Sequence, residues 1–273
     1  MTWLWAALMP HPPVIVPEVG NGREKEAELT LQGIEHLRIA LKSLHEHSLP
    51  DWLLLLSPHS PQAPGALFIN TAPRIHGTLA RFGAPGAQIT SAVPLEALQE
   101  LTALLQDSAV PVAHGSLENI TQDHAAIVPL YLLSQAFPGG RLPPVLLLNP
   151  SGLVPEQALA LGKILGNAEW RGRPAFLASG DLSHRLKEDG PYGFNPAGPI
   201  FDKAVVTALK AGNPSPLLDL PPATRENAGE CGLCPVLALI GLCSEPLQVF
   251  SYEGPFGVGY CTALWMPGQP FNT

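Results

Sequence analysis

Charge is scarce in this sequence: only 14% of its 273 residues are Asp, Glu, Lys or Arg. A surface this poor in charge leaves apolar area to cover, and we expect a homo-oligomer whose interface takes up part of it. Basic residues are scarcer than acidic ones, 15 against 23, for a formal net charge of −8. Lys and Arg never form a run, which excludes a nucleic-acid partner needing a basic footprint to neutralise phosphates. The same shortage argues against an anionic membrane surface. No apolar run reaches transmembrane length; the longest, around Pro235 to Cys243, is about half the ~20 residues required. The apolar start MTWLWAALMPHPP has no positive n-region, its first basic residue being Arg23, so no secretory signal is expected. Four cysteines make no disulfide scaffold in a chain of this size, and we expect a cytoplasmic protein. GxGxxG, GxxxxGK[ST] and GxSxG are all missing, which excludes the familiar phosphate loops and the nucleophile elbow.

What the sequence has is hydrophobicity, 46%, in short runs that alternate with helical stretches. Apolar runs mark strands at Trp3–Leu8, Trp52–Leu56, Val110–Ala113, Val145–Leu148, Ala175–Ala178, Val249–Tyr252 and Tyr260–Trp265. Two shorter strands, Leu67–Ile69 and Ile75–Phe82, are expected as a hairpin. Helical periodicity covers Glu24–His47, with Ile34, Leu37, Leu41 and Leu44 on one face, and returns at Leu95–Gln106, Ala125–Gln135, Pro155–Leu165, Ile200–Ala211 and Cys231–Leu242. The strand runs are apolar throughout, as in strands covered on both faces. An α/β fold with a mostly parallel sheet follows. The 31 prolines concentrate in loops, and the Pro-rich stretch Asn213–Pro222 reads as a surface loop, leaving residues 1–273 as one domain.

Chemistry gathers just after the strands. Met9-Pro-His11-Pro-Pro, Ser57-Pro-His59, Asn149-Pro-Ser151 and Ser179-Gly-Asp181-Leu-Ser183-His184 each follow an apolar run. In open α/β sheets ligands bind beyond the carboxyl ends of the strands. His11 and His59, each stiffened by flanking prolines, are candidate metal ligands as neutral imidazoles. His184, in SGDLSH, is a candidate general base or an ordinary loop histidine, while Asp181 and Ser183 suit turn and cap roles. His124 opens the helix AAIVPLYLL behind Asp123, a residue type suited to the N-cap; it is a candidate proton shuttle or a first-turn residue. Glu230 could complete a two-His-one-carboxylate set, which suits non-haem Fe(II), or serve as a first-turn acid at a helix start. Cys231 and Cys234 form a lone CxxC without the second pair a structural zinc site needs; Cys231 is the alternative third ligand. His36, His45, His47, His76 and His114 carry no assigned role.

The segments LMPHPPVIVPEVG, LLLLSPHSP, TQDHAAIVPLYLL, ASGDLSH and AGECGLCPVLALIGL occur in an order and spacing that resembles the class III extradiol dioxygenases, of the LigB or protocatechuate 4,5-dioxygenase beta-subunit type. The nearest likeness is to the bacterial branch related to Memo proteins, sometimes fused to an AMMECR1 domain that is not expected in these residues. The resemblance implies a three-layer αβα sandwich. It implies metal binding by His11 and His59, with Glu230 as the carboxylate ligand or Cys231 in its place, His184 as catalytic base, and His124 contacting substrate or oxygen. It also implies Fe(II), with zinc as the alternative metal, and a catechol-like aromatic cleaved with both atoms of O2 entering the product. Two other functions remain open: a Memo-like metal protein without dioxygenase activity, and a metal-dependent hydrolase in which zinc would activate water.

Overall fold

The apolar runs that read as doubly covered strands lie side by side. The structure, a computed structural model, describes residues 3–59 and 61–268. In chain order the strands are β1 (Ala6–Met9), β2 (Trp52–Leu56), β3 (Leu67–Asn70), β4 (Arg74–Leu79), β5 (Ala84–Ala92), β6 (Val112–Gly115), β7 (Val145–Asn149), β8 (Pro174–Ser179), β9 (Gln248–Glu253) and β10 (Tyr260–Trp265). The helices are α1 (Pro17–Gly20), α2 (Glu28–His45), α3 (Leu95–Gln106), α4 (His124–Ser134), α5 (Pro155–Asn167), α6 (Ala197–Ala211), α7 (Ser215–Leu218), α8 (Pro222–Ala228) and α9 (Leu233–Cys243).

Eight strands form one mostly parallel sheet in the order β6-β3-β7-β2-β8-β1-β10-β9. Its centre, β7-β2-β8-β1, is parallel throughout, with Leu54 opposite both Leu146 and Phe176. Leu53 to Leu56 and Val145 to Leu148 are fully buried, because helices cover the sheet in a three-layer α/β sandwich. Each such side chain contributes about 1.5–3 kcal/mol by leaving water. Parallel central strands point all their carboxyl ends to one edge, and the polar loops after β1, β2, β7 and β8 emerge there together.

At the opposite edge Trp3, Trp52 and Trp170 meet edge to face, with ring centroids 5.2–6.0 Å apart. Helix α9 lies on β1 and β8 and pairs along its length with α5. That pairing is close because glycine lines it. A Cβ on Gly162 would come 2.0 Å from the Ala238 carbonyl oxygen, and one on Gly241 2.5 Å from that of Leu159.

Two expectations change. β4 does form a hairpin, but with β5, in a separate two-stranded sheet; β3 joins the main sheet between β6 and β7. The β5 sequence APGAQITSA has no apolar run; after the buried Ala84, the alternating Ala87, Ile89 and Ser91 turn inward. The Pro-rich stretch 213–222 contains α7 and leads into α8, with proline in the first turn of each helix, where its missing N–H has no helical partner to lose. Among the described residues no single helix is long and apolar enough to cross a membrane.

Candidate metal centre

Three histidines from three elements meet at the carboxyl edge of the sheet. His11 follows β1, His59 follows β2, and His124 is the first residue of α4. Their ring centroids lie 4.7 Å (His11–His59), 4.6 Å (His59–His124) and 5.7 Å (His11–His124) apart. One ring nitrogen from each falls within 4.8 Å of the other two, so the three could hold a metal ion. His11 is buried, His59 is the most exposed, and His124 lies between them.

The local sequence explains the placement. Asp123 caps α4 by accepting from Ala126 N at 3.0 Å, and its Oδ1 also accepts from Ser57 Oγ at 2.7 Å. That bond ties the start of α4 to the loop bearing His59. The backbone N–H of His11 donates to Asp181 Oδ1 at 2.8 Å, tying the first loop to the one after β8.

The electrostatics favour neutral imidazoles. Burial lowers His11 well below the ordinary histidine value, and nearby His59, His124 and His184 lower it further. Burial, then His184, lowers His59. Burial, His59 and Arg81 bring His124 down to about 4. All three rings therefore keep a free lone pair at neutral pH, the form a metal needs. His124 Nδ1 is buried with no hydrogen-bond partner in the protein. These features fit a divalent metal.

The other expected site residues divide. His184 lies near enough for its charge to bear on His11 and His59; burial lowers it, the Leu182 and Gly229 carbonyls partly offset this, and Tyr192 covers its ring at 5.3 Å. Cys231 Sγ stands 3.6 Å from His11 Nε2 and 3.6 Å from the Asp181 carbonyl. The contact exists because Gly180 and Gly232 let two loops touch: a Cβ on Gly180 would sit 2.7 Å from Gly232 Cα. Glu230 Oε2 instead accepts from Leu233 N at 2.6 Å, capping α9. Burial pushes Glu230 up to about 7, with the Leu233 and Gly232 N–H groups opposing. Of these two neighbours, then, it is the sulfur that lies beside His11.

Asp181 was legible only as a turn residue, yet its Oδ2 lies 3.7 Å from His11 Nε2. Burial pushes this carboxyl up to about 7, and the His11 N–H holds it back in part. Phe82 flanks His124 at 5.5 Å with the Arg81 guanidinium stacked over it at 5.1 Å. Nothing in the short apolar run around them marked either residue.

Asp202 holds the loop carrying His184. Its Oδ1 accepts from Ser183 N at 2.7 Å and its Oδ2 from Tyr252 OH at 2.8 Å. Burial pushes Asp202 up to about 7 from an ordinary 3.8, against those two hydrogen bonds. A carboxyl raised in the folded state favours folding when protonated, so its contribution is full below about pH 4 and is lost as pH rises to about 7. Asp202→Asn keeps an acceptor for Ser183 N and a polar partner for Tyr252. We expect its melting temperature to fall less steeply than wild type between pH 4 and 7. Parallel slopes in thermal melts across that range would contradict this.

An αβα sandwich with a histidine cluster at the carboxyl edge of its parallel strands defines the class as an α/β protein with a metal-type site. The chain belongs to the family of the catalytic LigB subunit of aromatic ring-opening dioxygenases, which it matches over residues 5–263. Protein CA_C1420 of Clostridium acetobutylicum is 32% identical over 267 residues, covering 93% of this chain. This chain spans 55% of that relative's length. The crystal structure of uncharacterized protein JW3007 from Escherichia coli K12 shares the fold, with a TM-score of 0.59 at 15% identity, covering 96% of this chain and 99% of that one.

Proposed function

We propose that the protein is a non-haem Fe(II) dioxygenase of the extradiol type, acting on a catechol-like aromatic. The observation that carries this reading is the cluster of three neutral imidazoles at the sheet edge in a chain of this family. His11 and His59 hold the metal, and His124 is the third donor within reach; Glu230 would first have to leave Leu233 N. Fe(II), when bound, would supply the redox capacity that a reaction with dioxygen needs.

The chain's own groups do the rest. His184, neutral at physiological pH, accepts a proton from a substrate hydroxyl. Phe82 and Tyr192 supply aromatic walls on either side, beside His124 and His184.

The test is oxygen uptake, and the appearance of yellow ring-fission product, by anaerobically purified, Fe(II)-loaded protein over a panel of catechols. No uptake by fully loaded protein on any catechol would sink the reading. His184→Ala should keep its iron and lose activity by about 10²–10⁴-fold, the usual range for removing a general base. Unchanged turnover would remove His184 from the chemistry.

Cys231 favours a second reading. With its sulfur beside His11 Nε2 and Glu230 engaged in a helix cap, the centre would take a soft sulfur donor and act as a Memo-like metal site without oxygen chemistry. X-ray absorption showing a metal–sulfur bond, together with absent oxygen uptake, would select it. A zinc-dependent esterase or amidase activity lost in His184→Ala would instead select a hydrolase.

A further inference from the structure

Pro129 leaves a carbonyl short of its partner, and Ser179 uses it. In an α-helix the carbonyl of residue i accepts from the N–H of residue i+4. For Ala125 that residue is Pro129, inside α4, which has no N–H to give. Ala125 is fully buried, so no solvent replaces the missing donor. Ser179, the last residue of β8, reaches it: the Oγ hydroxyl donates to Ala125 O at 2.6 Å.

A serine hydroxyl has one hydrogen. Once that hydrogen points at Ala125 O, Ser179 Oγ can only accept from other groups. His11 Nδ1 lies 2.9 Å from the same oxygen, so the imidazole must be the donor. The neutral ring then carries its proton on Nδ1 and leaves Nε2 with a free lone pair. The surroundings of Nε2 agree. Asp181 Oδ2 stands 3.7 Å away, too far to accept a hydrogen bond from that nitrogen.

We propose that Ser179 is a positioning residue. The relay Ala125 carbonyl–Ser179 hydroxyl–His11 Nδ1 sets the tautomer that turns Nε2 into the metal donor. This rests on reading His11 as a metal ligand. The same turn of α4 carries His124 and is tied through Asp123 to Ser57 in the His59 loop. One helix start thus sets both the tautomer of one histidine and the placement of the other two.

The experiment uses the full chain, metal-free and labelled with ¹⁵N-histidine, at neutral pH. Long-range ¹H–¹⁵N correlation should show His11 in wild type protonated on Nδ1. In Ser179→Ala the ring should shift toward the Nε2–H form. Co(II) affinity, measured by chelator competition, should fall about 10–100-fold, the range seen when a metal ligand loses its outer partner. Ser179→Thr, which keeps a hydroxyl, should restore both readings. Wild type found as the Nε2–H tautomer would overturn the proposal without any variant. So would Ser179→Ala with wild-type tautomer and Co(II) affinity. If His11→Ala binds Co(II) as tightly as wild type, the metal reading itself falls; the wild-type spectrum still decides whether Ser179 sets the tautomer.

Discussion

His11→Ala should keep its fold and lose its metal. Four-ligand zinc sites bind with about 10–16 kcal/mol, so one ligand is worth roughly 2.5–4 kcal/mol, or about 10²–10³ in affinity. His11 is also the member best held in place, by its backbone bond to Asp181 and its ring bond to Ser179. Both serine and aspartate keep other partners when the ring goes, Ser179 through Ala125 O, so the stability loss is that of one small cavity, about 1–3 kcal/mol. His59→Ala should lose the metal equally but cost less stability, because His59 is exposed. His36→Ala, on an exposed helix face, should change neither. The measurement is Co(II) or Zn(II) competition with a chelator, run beside thermal melts of the metal-free proteins. Retention of wild-type affinity in His11→Ala would remove this residue from the centre.

The second large effect is in packing. Ala is better than Gly in a helix interior by about 1 kcal/mol, so on propensity alone Gly162→Ala should stabilise α5. Packing decides otherwise. The new Cβ would sit 2.0 Å from the Ala238 oxygen and 2.7 Å from its carbonyl carbon, and this is backbone that no rotamer change can move. The helices must separate along a seam that glycine also lines at Gly241. Overpacking of this kind costs about 3 kcal/mol, which outweighs the propensity gain and, for a chain of this length, lowers the melting temperature by roughly 3–4 °C after that gain is subtracted. Gly86→Ala, whose Cβ would meet nothing within 4 Å, should leave it within a degree or two. A Gly162→Ala protein as stable as wild type would show that α5 and α9 slide freely.

Legibility followed the strength of the local signal. Trp52–Leu56 and Tyr260–Trp265 were readable to the residue because a doubly covered strand must be apolar at every position. β5 was not, because it is half-buried and begins with Ala-Pro-Gly. His11 and His59 stood out through the repeated pattern of strand, proline and histidine. His124 was recognised as a site residue, but its closeness to the other two depends on how α4 folds back over the sheet, which no local pattern records. Asp181 and Cys231 meet only where two glycines allow loops about fifty residues apart to touch, and a linear reading has no access to such a contact. Glu230 shows the converse. A carboxylate three residues ahead of a helical N–H satisfies both a ligand pattern and a capping pattern, and in the structure it caps.

The tryptophans clustered at the far edge of the sheet give this protein a separate optical signal. Trp3, Trp52 and Trp170 are all at most 6% exposed, and the strands between them and the histidine edge run about five residues, roughly 17 Å. Their emission reports whether the sheet is assembled and is nearly blind to which histidine has been removed. Fluorescence melts can therefore score the integrity of every variant at the carboxyl edge, while cobalt absorption scores the centre, in the same cuvette.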